Sequence, residues 1–130
     1  MLLTVTPIYA ALLAILMAVL STAASVQRGQ HNVPLGQGGN TSLSLAVRRF
    51  GNLAEYAPMA VLLLALMELQ GASAYWLHVF GTALIILRLL HPVVLFENPD
   101  APMWKKAGRF IAAAGTALLL VIGSAVLLLG

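Results

Sequence analysis

Apolar residues run along this chain in four long blocks, and polar residues gather between them. TVTPIYAALLAILMAVLSTAASV, roughly residues 4–26, carries no charge. It is long enough to cross a bilayer, for which about 20 mostly apolar residues suffice. Pro7 falls in its first turn, where a missing N–H does little harm. No basic stretch precedes this block, and it is long for the apolar region of a signal peptide, so it reads as a retained helix. The second helix runs from about Leu43 to Leu69, the third from about Ser73 to Phe96, and the fourth from about Trp104 to Leu129. The pattern predicts an all-α, integral membrane four-helix bundle, a single domain over residues 1–130.

The connections set an orientation. The first, QRGQHNVPLGQGGNTS, is long and polar. Its LGQGGN has neither a following GK[ST] nor a preceding strand, so it reads as a flexible loop and not as a phosphate loop. The second, QGAS, is a tight turn, and the third, ENPDAP, has Pro and Asx turn chemistry. Arg28, Arg48 and Arg49 flank the first loop, and Lys105, Lys106 and Arg109 flank the third. Basic residues favour the cytoplasmic side, which places both termini outside. Trp76 and Trp104 then fall near opposite membrane faces. Small residues recur at helical spacing in the first helix (Ala10, Ala14, Ala18, Thr22) and the fourth (Gly108, Ala112, Gly115), where backbones can approach closely.

Composition sharpens this picture. Of 130 residues, 61% are hydrophobic and 8% charged, with mean hydropathy +0.95. A soluble domain carries about 25% charged residues, so the bilayer is the expected surrounding. The net charge of +3 is gathered at one membrane face, which argues against nucleic acid as a partner. There is no cysteine, so disulfides, thiolate metal sites and cysteine nucleophiles are excluded. His31, His78 and His91 have no ligand spacing, so no metal is expected. No Ser–His–Asp arrangement is suggested.

The candidate chemistry lies in RRFGNLAEYAP. On a helix Arg48, Asn52 and Glu55 stand at i, i+4 and i+7, on one face, with Tyr56 at its border. Pro58 removes the hydrogen bond to the Ala54 carbonyl beside Glu55. The third helix supplies Arg88 and His91 at i, i+3, at similar depth from the same surface. An ionisable side chain at the bilayer centre costs at least ~2.5–3.5 kcal/mol, so two such clusters should face each other or a shared ligand. Glu55 with Arg88 can be read as a structural ion pair, and Asn52 as an interhelical strut. His78 reads as structural or interfacial, and Glu68 and Glu97 as solvated ends of apolar runs. A cationic, hydrogen-bonding pocket suits a small molecule bearing carboxylates, which arginine grips bidentately.

RRFGNLAEYAP resembles the second-helix motif of MAPEG proteins, the membrane-associated proteins in eicosanoid and glutathione metabolism. LGQGGN before it, and LMELQG, WLHVFG and LRLLHP after it, look like the small bacterial branch of that family, over about residues 25–110. The resemblance implies a homotrimer in a bacterial inner membrane, with glutathione as cosubstrate held between subunits near the cytoplasmic side. Arg48, Asn52, Glu55 and Tyr56 match positions that contact the tripeptide, and Arg88 matches a binding arginine. His91 stands where other members have Tyr or His, and Arg28 matches a basic residue reaching the site from the neighbouring subunit. Two positions depart from the pattern. Leu95 stands where several glutathione-using members have tyrosine. Trp104 stands near the place of an activating arginine, leaving Lys105, Lys106 and Arg109 as candidate catalytic cations.

The resemblance implies a glutathione-dependent transferase or peroxidase acting on lipophilic small molecules, electrophiles or hydroperoxides. Cations near the thiol would lower its pKa, and the membrane would bring the two reactants together. A non-catalytic lipid-binding or scaffolding member of the same family is the alternative. A small multidrug exporter fits less well, because its membrane glutamate lies in the first helix and this first helix is uncharged.

Overall fold

The computed structural model describes residues 2–129 and contains α1 (Thr6–His31), α2 (Thr41–Leu69), α3 (Ala74–Val94) and α4 (Met103–Leu129). All four are long and apolar enough to cross a membrane. α1 outruns its apolar block, continuing through QRGQH to a left-handed Asn32 (φ 54°), whose N–H returns to the carbonyls of Arg28 and Gly29. Hydropathy marks the bilayer edge, whereas this helix ends at a left-handed cap beyond it. α2 begins at Asn40, whose Oδ1 accepts from the Leu43 N–H at 3.0 Å, and it runs unbroken through Pro58. Gly71, at φ 86°, closes the α2–α3 turn in a conformation that costs glycine little. In the α3–α4 turn Asn98 Oδ1 accepts from the Asp100 N–H at 2.9 Å.

α2 packs against all three other helices. α1 lies mainly on α2 and α3 mainly on α4, while α1 and α4 do not meet. Leu13, Leu53, Ala57, Ala60, Leu64, Phe80 and Leu84 form the shared core. α1 crosses α3 at Gly81, where any Cβ would overlap the Tyr9 ring. The Tyr9 hydroxyl donates to the His78 carbonyl (3.1 Å) and lies 2.9 Å from His78 Nδ1 and 3.0 Å from Thr82 Oγ1. His78 is thus part of a structural clasp. Ile8, Leu12, Ile15 and Val19 of α1 and Phe110, Ile111, Leu118 and Val121 of α4 face outward, a surface suited to lipid.

Glu68 departs from its expected solvated position. It is buried, and its carboxylate accepts from the backbone N–H groups of Thr4, Val5 (2.8 Å) and Thr6 (2.7 Å) and from the Thr4 hydroxyl (3.0 Å). α1 has no acidic residue in its first turn and no side-chain cap of its own. The N-terminal N–H groups of a helix lack internal partners and attract negative charge, so the end of α2 supplies the missing cap.

Candidate functional site

The basic residues collect where α1 and α3 end and α2 and α4 begin, hereafter the basic end. Arg88, only 2% exposed, is the buried centre of this region. It rises from α3 about 21 Å from Ala74, at the 1.5 Å per residue of a helix. Its Nη1 donates to Asn52 Oδ1 on α2 (2.8 Å), and its Nη2 donates to the Ala112 carbonyl on α4 (2.9 Å) and to Thr116 Oγ1. Thr116 Oγ1 donates in turn to the Ala112 carbonyl (2.8 Å) and therefore accepts from the arginine. One guanidinium thus joins three helices. Its carbon also lies 5.7 Å from the Tyr56 ring centroid, within cation–π range.

No carboxylate completes this network, and the Glu55–Arg88 ion pair, one of the readings the sequence left open, does not form among the described residues. Arg88 has only neutral hydrogen-bond partners, whereas Glu55 is exposed and makes no bond to it. Among the described residues no hydrogen bond or ion pair engages the Glu55 carboxylate. Arg88 also orients Asn52: because it donates to Oδ1, the two N–H bonds of Nδ2 remain for another acceptor.

His91 is buried one turn beyond Arg88 on α3. The fold therefore gathers Arg48, Arg88, His91 and Arg109 at the basic end. The Arg109 guanidinium carbon lies 5.3 Å from the Phe96 ring centroid. Lys105 Nζ lies over Trp104 at 5.4 Å, and Lys106 is exposed, as is Arg109. Leu95 is buried, 6% exposed, in the position read as a departure from the pattern. Arg28 folds back on its own loop, donating to the Gly36 carbonyl at 2.7 Å.

A second feature of α2 escaped the sequence reading. Arg48, Glu55, Met59, Leu62, Leu66 and Leu69 are all exposed, and successive spacings of 7, 4, 3, 4 and 3 place them on one stripe. That is the spacing of a coiled-coil seam, open in the single chain. Its distal half is apolar and its basic-end half is charged. Burial was needed to see it, because apolar residues lie on every side of α2.

The MAPEG family model matches residues 6–128. The chain belongs to the MAPEG family. It is 34% identical over 118 residues to the inner membrane protein YecN of Escherichia coli strain K12, covering 91% of this chain and 87% of that protein. The same figures hold for YecN of Escherichia coli O6:H1 strain CFT073. No solved structure matches. With four helices long and apolar enough to span a bilayer, and relatives named as inner membrane proteins, this MAPEG chain is a multi-pass membrane protein.

Proposed function

We propose that the protein binds glutathione at its basic end, between copies assembled as a homotrimer, and acts as a glutathione-dependent transferase or peroxidase on lipophilic electrophiles or hydroperoxides. The observation that carries this reading is the uncompensated Glu55 on the same exposed stripe of α2 as Arg48, at the basic end that also holds Arg88, His91 and Arg109. A bare carboxylate on a spanning helix needs a cationic partner, and glutathione brings an ammonium together with two carboxylates. Glu55 takes the ammonium, Arg48 and the Asn52 amide take a carboxylate, and Arg109 is the helix-4 cation placed to favour the thiolate. The α2 seam supports the trimer, because its leucine half offers a contact between copies and its charged half leaves space for a polar ligand.

Calorimetric titration tests the site. Glu55→Gln and Arg48→Ala should each weaken glutathione binding by more than about tenfold, within the ~2–5 kcal/mol typical of breaking a desolvated charge contact. Unchanged affinity in both folded variants would remove α2 from the site. Bound glutathione should also show thiolate absorbance below about pH 8.5, the ordinary thiol value. Binding without thiolate would support the non-catalytic alternative.

The orientation is tested on the same cysteine-free background. We infer from the basic residues that the 32–40 connection faces the cytoplasm. A cysteine at Gln37 should resist a membrane-impermeant thiol reagent in intact cells, and one at Ser73 should react. The opposite labelling would invert the topology.

A further inference from the structure

A groove of about 500 Å³ runs between α1 and α2 at the basic end, away from the Arg88 network. Val19, Ala23 and Ala46 line its apolar part, and Gln27, Ser42 and Arg49 make the rest polar. Ala23 and Ala46 explain why the two helices leave a depression there: neither side chain is long enough to fill it. Ser42 Oγ donates to Gln27 Oε1 at 2.9 Å, tying the groove's outer end across the two helices.

Arg49 differs from a simple headgroup anchor. Nε of Arg49 is sealed from solvent and has no hydrogen-bond partner, while its terminal nitrogens are not sealed and can reach an anion in the groove. The chain holds only four acidic residues with which to answer it. Glu68 caps α1, Glu97 and Asp100 lie in the α3–α4 turn, and Glu55 stands on the other stripe of α2. Among the described residues, none of the four is hydrogen-bonded or ion-paired to Arg49, which leaves it open to an anion from outside the chain.

Depth indicates which anion. Counting back from Leu69 at 1.5 Å per residue puts Arg49 about 30 Å away, the thickness of the hydrocarbon core. Arg49 therefore stands at headgroup level. Gln27 and Ser42 lie toward water, and Val19 and Ala23 lie toward the membrane interior. We propose that this groove binds an anionic phospholipid of the adjacent leaflet, with its phosphate on Arg49 and an acyl chain along Val19, Ala23 and Ala46. Basic pockets between spanning helices take anionic headgroups in this way. The assignment is independent of glutathione and of the residues assigned to it.

Native mass spectrometry of the full-length protein, released from micelles containing equal phosphatidylglycerol and phosphatidylethanolamine, tests it. The parent should retain phosphatidylglycerol preferentially. Arg49→Gln should lower that preference about fivefold, the share one basic residue contributes at an anionic surface. Ala23→Leu, which fills the groove without altering charge, should strip the retained lipid. An unchanged preference in Arg49→Gln, or lipid retained by Ala23→Leu, would overturn the assignment. So would displacement by an equal concentration of inorganic phosphate, which would mark a free-anion pocket. Lipid loss that only follows subunit dissociation would also overturn it, making the groove a contact between copies.

Discussion

Arg88→Lys should unfold at a clearly lower temperature than the parent, although the charge is kept. The guanidinium is a planar fork whose two ends reach different helices: Nη1 meets Asn52 on α2 and Nη2 meets Ala112 and Thr116 on α4. An ammonium is a point charge on a flexible stem and cannot hold that geometry. Losing one hydrogen bond from a charged donor costs about 1.5–3 kcal/mol. Arg88→Ala should cost more, about 3–5 kcal/mol, because truncating a fully buried side chain also opens a cavity between the helices. Thermal unfolding in detergent checks both. If the lysine variant melts with the parent, charge alone would account for Arg88 and the three-helix fork would not matter.

This expectation separates two roles that share one region. Arg88 spends its terminal nitrogens inside the subunit, so its removal acts first on stability and only then on ligand, through a misdirected Asn52 amide. Arg48 and Glu55 are exposed, and their removal should leave stability nearly intact while binding falls. A protein in which all three substitutions weaken binding and stability in equal proportion would not have this division.

The helix layout was legible because each spanning block declares itself by length and apolarity. The end of α2 and the start of α4 lie where the hydropathy changes. The end of α1 does not, because Gln27 and Arg28 continue a helix as readily as they enter water. Arg88 and Asn52 were readable as neighbours from matching depth. Their third partner was not, since a backbone carbonyl at Ala112 has no sequence signature. Of the readings open for Glu55, the ion pair is the one not realised: sharing a depth with Arg88 does not bring contact, and the structure leaves Glu55 exposed. Glu68 was hidden for a similar reason. Its partners are N–H groups more than sixty residues earlier, as its separations of 62 to 64 record.

Glu68→Ala should free the start of α1 from the bundle. Three backbone donors and one hydroxyl converge on this carboxylate, and among the described residues no other side chain caps that helix end. Hydrogen bonds to a charged group are worth about 1.5–3 kcal/mol each, but they are not additive, and water at the membrane edge will satisfy some of the freed donors. A net loss of about 3 kcal/mol is therefore expected, with Glu68→Gln intermediate because the amide retains one acceptor oxygen. The effect should be local before it is global. Hydrogen exchange at the amides of Val5 and Thr6 should accelerate in Glu68→Ala, while amides around Leu64 and Leu84 in the core stay protected. Tyr9 would then be the remaining polar tie near this end of α1, through its bond to His78, so combining Glu68→Ala with Tyr9→Phe should destabilise more than the two changes added separately. Exchange at Val5 and Thr6 that matches the parent would show that the carboxylate is not what fixes this end of α1.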